Sequence, residues 1–303
     1  MKSRFFASVW QVALFEWAGA VRSRRALVLV LLYLVAAVFC MNGTISLLGR
    51  MEGELATVLQ LPASEETGVV SEALWKSRPF QGMVRKAVGD GPVFDDISSR
   101  HPVELLYAWF VFMCAPLLVV MVSGTRVADD LKSGCVRYLI TRVTRLEWSL
   151  GKYIGQALMI GVALAVSAAG AWTLALFRLP SGTAVRLVVP MLGWGARAWI
   201  YSLPWLGLAL GISHLTHSSA RATALGIVAI AVFTALPPVL DGLYARAGWP
   251  AVVTHVRQLV PSGAEMKLWR TAFTPFASGT LHLLFLSFAY YSLGASVFAR
   301  RDA

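Results

Sequence analysis

Few residues in this chain could do chemistry, and their spacing narrows the choice further. His214 and His217 fall on one helical face and could in principle clasp a metal, but no third ligand stands near them. A polar loop end is the simpler reading of the pair, and no metal site is expected. Cys40, Cys114 and Cys135 are scattered without metal or redox spacing, as structural thiols would be. Gly151-Lys152 is followed by Tyr153 and lacks the preceding glycine of a GxxxxGK(S/T) phosphate loop, so the chain is expected to bind no ATP and no other cofactor itself. Neither HExxH nor GxSxG occurs, which removes the usual signatures of membrane proteases and hydrolases. What remains is the charged stretch GTRVADDLKSGCVRYLITRVTRLEWSLGK from Gly124 to Lys152.

The elements that must position that stretch are membrane helices. Of 303 residues, 57% are hydrophobic and 14% charged, with a mean hydropathy of +0.65. Soluble domains usually carry roughly 25% charged residues. Several apolar runs reach the roughly 20 residues that a helix needs to cross the hydrocarbon core. They predict spans at about 26–48, 105–125, 153–177, 194–213, 222–240 and 278–298, the fourth reaching back through Arg197 into MLGWG. Pro116, Pro204 and the Pro237-Pro238 pair mark kinks or ends, which membrane helices tolerate. The alternation of barrel strands is absent. The first run follows a long charged lead with no small-x-small site after it, so it reads as an uncleaved helix. The expected fold is an all-α polytopic membrane protein with six transmembrane helices.

Basic residues beside the spans set the orientation. Arg22, Arg24 and Arg25 abut the first span and Arg300-Arg301 the last, which predicts both termini in the cytoplasm with loop 126–152 beside them. The net charge of +11 then reads as orientation signal plus attraction to anionic lipid, and short basic clusters give nucleic-acid binding no support. Residues 3–21 carry a helical pattern, with Phe6, Trp10, Ala13, Leu14, Trp17 and Val21 on one face and Arg4, Ser8 and Gln11 opposite. A tryptophan-rich amphipathic helix beside Arg22, Arg24 and Arg25 suits the membrane interface. Residues 1–25 therefore read as a connector helix and 26–303 as the transmembrane domain. The acidic segment 50–104, with a short helix around 70–88, is expected outside, where it offers a surface for an extracytoplasmic protein partner. The other outside loops are 178–193 and 241–270. Spans one, two, three and five hold no ionisable residue, and only His282 and Arg197 reach membrane depth. Ion-coupled transporters normally need a buried carboxylate, so the energy source is expected outside the membrane, on a partner protein.

Within the loop, a helix leaving the membrane carries Asp129 and Asp130 and stops near Gly134. A second short helix follows, with Val136, Leu139 and Ile140 apolar and Arg137, Arg142 and Arg145 basic. An ordinary basic loop would satisfy the same spacing. The order of features is more specific: an acidic pair, Lys132, Ser133-Gly134, an apolar stretch with Leu139-Ile140-Thr141, Arg145, then Gly151-Lys152 opening a span. This order resembles the loop of ABC-2 type transporter permeases, with Val143 standing where that family often has proline. GISHLTHSSARATALG (Gly211 to Gly226) is similar to the family's Ser-rich turn between spans four and five, and Phe298 to Asp302 to its basic ends. The 50–104 segment separates the chain from compact drug- and polysaccharide-exporting members.

The resemblance implies a permease subunit of the bacterial inner membrane. Two such chains, identical or paralogous, would face each other and bind two ATPase subunits that hold the ATP and Mg. Asp129, Asp130, Gly134, Arg137, Tyr138, Leu139, Arg142 and Arg145 would couple to the ATPase, and the interfacial helix with Phe6, Trp10, Trp17, Arg22, Arg24 and Arg25 would move with them. The implied activity is export of a hydrophobic or amphipathic substrate. A structural or force-transmitting subunit without cargo is the alternative, and a membrane-embedded enzyme around 50–104, His255 or His282 has few polar candidates behind it.

Overall fold

The computed structural model describes residues 2–58, 78, 81–82, 84–85, 91–98, 100–136, 142–247 and 255–300. Regular structure among them is helical throughout. Helix α1 (Lys2–Arg22) is followed after Ser23 by α2 (Arg24–Val58), then α3 (Pro92–Ser98), α4 (Pro102–Ser123), α5 (Arg126–Ser133) and α6 (Arg145–Arg178). Helices α7 (Ser181–Leu215), α8 (Ser219–Ala247), α9 (Ser262–Leu268) and α10 (Phe273–Arg300) complete the chain. Of the helix expected around 70–88, only residues 78, 81–82 and 84–85 are described, and these are helical.

Among the described residues, five segments are long and apolar enough to cross a membrane: Arg24–Met51, Pro102–Ser133, Arg145–Arg178, Ser219–Leu240 and Phe273–Arg300. Helix α7, which contains the expected fourth span, is not among them. Its position explains why. It packs against α4, α6, α8 and α10, and buries Trp194, Tyr201, Ser202, Pro204, Trp205, Gly207, Ser213 and His214. A helix enclosed by other helices needs small and aromatic residues for close packing rather than an aliphatic coat for lipid. By contrast, the apolar window of α8 is only 6% buried and that of α2 only 22%, as befits helices that meet lipid on most sides.

Two boundaries differ from the sequence reading. Residues 181–193 are helical, not loop: Pro180 precedes the helix with φ −52°, a value its ring enforces, and its carbonyl accepts from Thr183 and Ala184 N–H, each at 2.9 Å. Ala184, Leu187, Met191 and Trp194 then bury one helical stripe. The Trp172 indole of α6 donates to the Ala184 carbonyl at 3.0 Å and ties the turn down. Helix α6 likewise starts eight residues before 153, so Lys152 lies inside the helix rather than ahead of it.

The closest crossing is between α7 and α10. A Cβ added at Gly294 would meet the Gly211 Cα at 2.4 Å, and one at Gly207 would meet the Ser287 carbonyl oxygen at 2.2 Å. Only glycine lets these backbones approach so far. At the Trp194 end of the bundle, Glu104 accepts from the Trp194 indole at 2.7 Å and from Arg100 at 2.9 Å. Arg197 lies 4.8 Å from the Trp194 ring centre and donates to the Leu268 carbonyl at 3.0 Å. Helix α3 is clipped to the start of α10 by Asp96, which accepts from Arg270 Nε at 2.5 Å and from the Thr271 hydroxyl. The Thr271 hydrogen bond, with Arg270 beside it, holds the Asp96 carboxyl below the usual carboxylate range.

Candidate functional site

The end of the bundle opposite Trp194 is held by charges. It is built first on α1, whose buried residues Val9, Ala13, Glu16 and Ala20 recur at spacings of four, three and four and so form one stripe. That stripe lies on Gly151 and Gly155 of α6. A Cβ at Gly151 would meet Val12 Cβ at 2.5 Å, and one at Gly155 would meet the Ala13 carbonyl oxygen at 2.8 Å. The pair works as a small-xxx-small face, letting α1 sit close enough to carry Glu16 into the interior.

Inside, Glu16 Oε2 accepts from Lys152 Nζ at 2.7 Å and Oε1 accepts from Gln156 Nε2 at 2.7 Å. Lys152 and Gln156 are one turn apart on α6 and face the same way. The Lys152 ammonium also pairs with Asp130 Oδ2 of α5 at 2.6 Å, and lies 5.3 Å from the Trp148 ring centre. Gln156 Oε1 in turn accepts from the Ser123 hydroxyl of α4 at 2.9 Å. Side chains of α1, α4, α5 and α6 therefore meet in one polar junction. Its cation is 5% exposed, against 11% for Glu16 and 29% for Asp130. At such burial each charge depends on its partners, since unpaired charges are excluded from so dry a site.

Local signals put the ends in place. Helix α5 stops at Gly134, whose φ of 71° is the left-handed conformation that glycine adopts without strain. Its inner face buries Val127 and Ala128, and the Ala128 N–H donates to Ser213 Oγ of α7 at 2.9 Å. Helix α6 opens with a capping box: Glu147 N–H donates to Thr144 Oγ1 at 3.2 Å and Thr144 N–H to Glu147 Oε2 at 2.7 Å. Arg145 donates to the carbonyls of Phe298 and Ala299 at 3.3 and 3.1 Å, where cations suit the C-terminus of α10. Arg25 at the head of α2 donates to Thr125 Oγ1 at 3.4 Å. A second chain of hydrogen bonds joins α10, α6 and α7. Tyr291 donates to Ser149 Oγ at 2.8 Å, Ser149 lies 2.7 Å from His214 Nε2, and His214 Nδ1 lies 2.6 Å from the Leu210 carbonyl. The carbonyl assigns the proton to Nδ1, so Nε2 accepts from the serine.

The residues singled out from sequence divide into groups. Asp129 is exposed on the outer side of α5 and Arg142 is exposed ahead of α6, whereas Asp130 is committed to Lys152. Gly134 is the C-cap of α5, and Arg145 is engaged with α10. Arg137, Tyr138 and Leu139 lie outside the described residues. On α1, Phe6, Trp10 and Trp17 point away from the protein at 68%, 51% and 37% exposure, while Ala13, expected on their face, is fully buried. Arg22, Arg24 and Arg25 cluster at the exposed turn from α1 to α2. Sequence reasoning did not identify Lys152, Gln156, Ser123 or His214 as members of a site. The i, i+4 glycines flanking Lys152, and an acidic residue on the small-residue stripe of α1, were the available signals. Neither ring nitrogen of His214 faces His217, and among the described residues no three His, Cys, Asp or Glu side chains group as metal ligands would.

A family model described as an ABC-2 family transporter protein matches residues 10–303. No curated protein matches the chain.

Proposed function

The chain belongs to the ABC-2 family of transporters, and from that premise we propose that it is the membrane-spanning permease subunit of an ATP-binding-cassette transporter. In this reading α7 supplies the fourth of six spans, both termini and α5 face the cytoplasm, and the membrane is the bacterial inner membrane. Two copies, or this chain and a paralogue, pair across the membrane. Each binds one ATPase subunit, which supplies ATP and Mg, and the pair exports a hydrophobic or amphipathic substrate. Residues 129–145, within the cytoplasmic loop 126–152, form the contact with the ATPase.

The observation that supports this most is Lys152 holding Glu16 and Asp130 at once. Any displacement of α5 acts through that cation on α1 and on α6, so a push delivered to a short surface helix reaches a long membrane helix directly. Nothing in the junction is arranged for bond-making: it holds and transmits. The clean test uses Asp129, which is exposed, rather than Asp130, whose change would also break the junction. In Asp129→Arg, co-purification with the ATPase and the ATPase activity of the reconstituted complex should fall about ten-fold, with the permease's own thermal unfolding unchanged; the factor is the worth of one charge pair at an interface. Undiminished association and activity would remove α5 from the ATPase contact.

A further inference from the structure

A groove opens on the membrane-facing surface between α6 and α10, next to the polar junction but separate from it. Its cavity is about 370 Å³ and is walled by Leu146, Leu150, Phe288, Tyr291, Ala295 and Phe298. That volume is at the small end of ligand pockets, enough for one slender chain. The groove exists because α6 and α10 both lean on α7 and are joined to each other by side chains such as Arg145 and Tyr291 rather than by close backbone packing.

Its lips are large apolar side chains with nothing over them: Leu146 is 57% exposed and Phe288 66%, and Phe285 one turn further along α10 is 68% exposed. Among the hydroxyls of its lining, Tyr291 donates to Ser149, Ser149 is bonded to His214, and Ser296 donates to the Leu293 carbonyl. The interior therefore offers mainly apolar contact to an occupant. The mouth is different. Arg145 lines it, held at the end of α10 by the Phe298 and Ala299 carbonyls, and Arg300 follows at the next position of α10, exposed.

From an apolar slot that opens sideways to lipid and carries Arg145 in its lining, we infer that this groove is a binding site for one anionic phospholipid. An acyl chain lies between α6 and α10, and the headgroup phosphate meets Arg145. A basic mouth beside membrane helices selects acidic headgroups, and an acyl chain gains roughly 0.8 kcal/mol for each methylene it buries. The occupant is a resident lipid, so the inference rests on the membrane reading and not on the ATPase contact.

The test uses the full-length protein in nanodiscs of mixed phosphatidylcholine and phosphatidylglycerol, with a photoactivatable group on one acyl chain of either lipid. The phosphatidylglycerol probe should label the 288–298 stretch of α10 about five-fold more than the phosphatidylcholine probe, the preference expected from one arginine at an anionic headgroup. Labelling of the exposed faces of α2 and α8 should show no such preference. Arg145→Gln should erase the preference while leaving labelling in place, and Ala295→Leu, which fills the slot, should lose the labelling. Equal labelling by the two probes in the unmodified protein, or labelling of α10 no stronger than that of α2 and α8, would overturn the inference without any variant having to fold.

Discussion

Replacing Lys152 with methionine keeps the length of the side chain and removes the one cation of the polar junction. Two carboxylates then face each other across the site, Glu16 at 11% exposure and Asp130 at 29%, where each had been about 2.7 Å from the ammonium. Removing one member of a buried ion pair costs about 3–5 kcal/mol, because the partner stays buried and uncompensated. Since Lys152 serves two partners, Lys152→Met belongs at the upper end of that range. Glu16→Gln leaves the Lys152–Asp130 pair intact and sacrifices one charge-assisted hydrogen bond, for about 1.5–3 kcal/mol. Asp130→Asn, at the most exposed position, loses about 1 kcal/mol or less. The order of the three is the sharper prediction. The double variant Lys152→Met with Glu16→Gln should be milder than the sum of its parts by at least about 1 kcal/mol, as members of one network are coupled by 0.5–3 kcal/mol. Equilibrium unfolding of the purified protein in mixed micelles reads all four. Equal costs for the three single changes, or additivity within about 0.5 kcal/mol, would refute the idea that one lysine organises the junction.

Two further outcomes follow from the packing and the outer clip. Gly294→Ala puts a Cβ 2.4 Å from the Gly211 backbone, which cannot yield, so it should cost about 1–3 kcal/mol by the same unfolding assay; Gly193→Ala, with nothing within 4 Å, should stay within about 0.5 kcal/mol of wild type. Asp96 has its folded pKa lowered, chiefly by the Thr271 hydroxyl, so its stabilisation is complete above the ordinary carboxylate value near 4 and is lost as pH falls through the lower folded value. Thermal unfolding across that acid range should show the gap between wild type and Asp96→Asn closing as pH drops; a gap that does not change with pH would detach Asp96 from the clip.

What the sequence made legible was whatever depends on long runs and local signals. The apolar stretches at 26–48, 222–240 and 278–298 each fall within a helix, and 105–125 overruns α4 by only two residues, because hydrocarbon length is a strong one-dimensional constraint. Gly134 as a helix stop and the outward face of Phe6, Trp10 and Trp17 are likewise local. What was hidden is what depends on a neighbour. Helix α7 looked like a short span with a soft beginning, because residues chosen to pack against neighbouring helices on most sides resemble a diluted membrane segment. Lys152 looked like the last residue of a loop, since nothing in the chain announces that α1, some 136 positions earlier, brings a carboxylate to it. The pairing of Asp130 with Lys152 was hidden for the same reason, since that partner lies on another helix. The expectation that ionisable groups would be rare inside the spans passed over Lys152, which stands one residue before the predicted third span and pairs with Glu16 and Asp130.

The retention of a charged junction also calls for a physical reason. Well-packed apolar side chains in place of a buried ion pair often leave a protein as stable or more so, and here leucines at positions 16, 130 and 152 would join α1, α5 and α6 with no desolvation cost. Apolar contacts, however, are indifferent to small sliding, whereas a lysine between two carboxylates has one position in which both are satisfied. The members are also graded: Glu16 and Lys152 are nearly closed off from solvent, while Asp130 is the most open and sits on an eight-residue helix that ends at a glycine. Strain applied to α5 thus reaches its weakest bond first, at Asp130, and the pair left behind keeps α1 fixed to α6. A junction built this way lets α5 shift against a core that stays assembled, which is the behaviour that the proposed function asks of it.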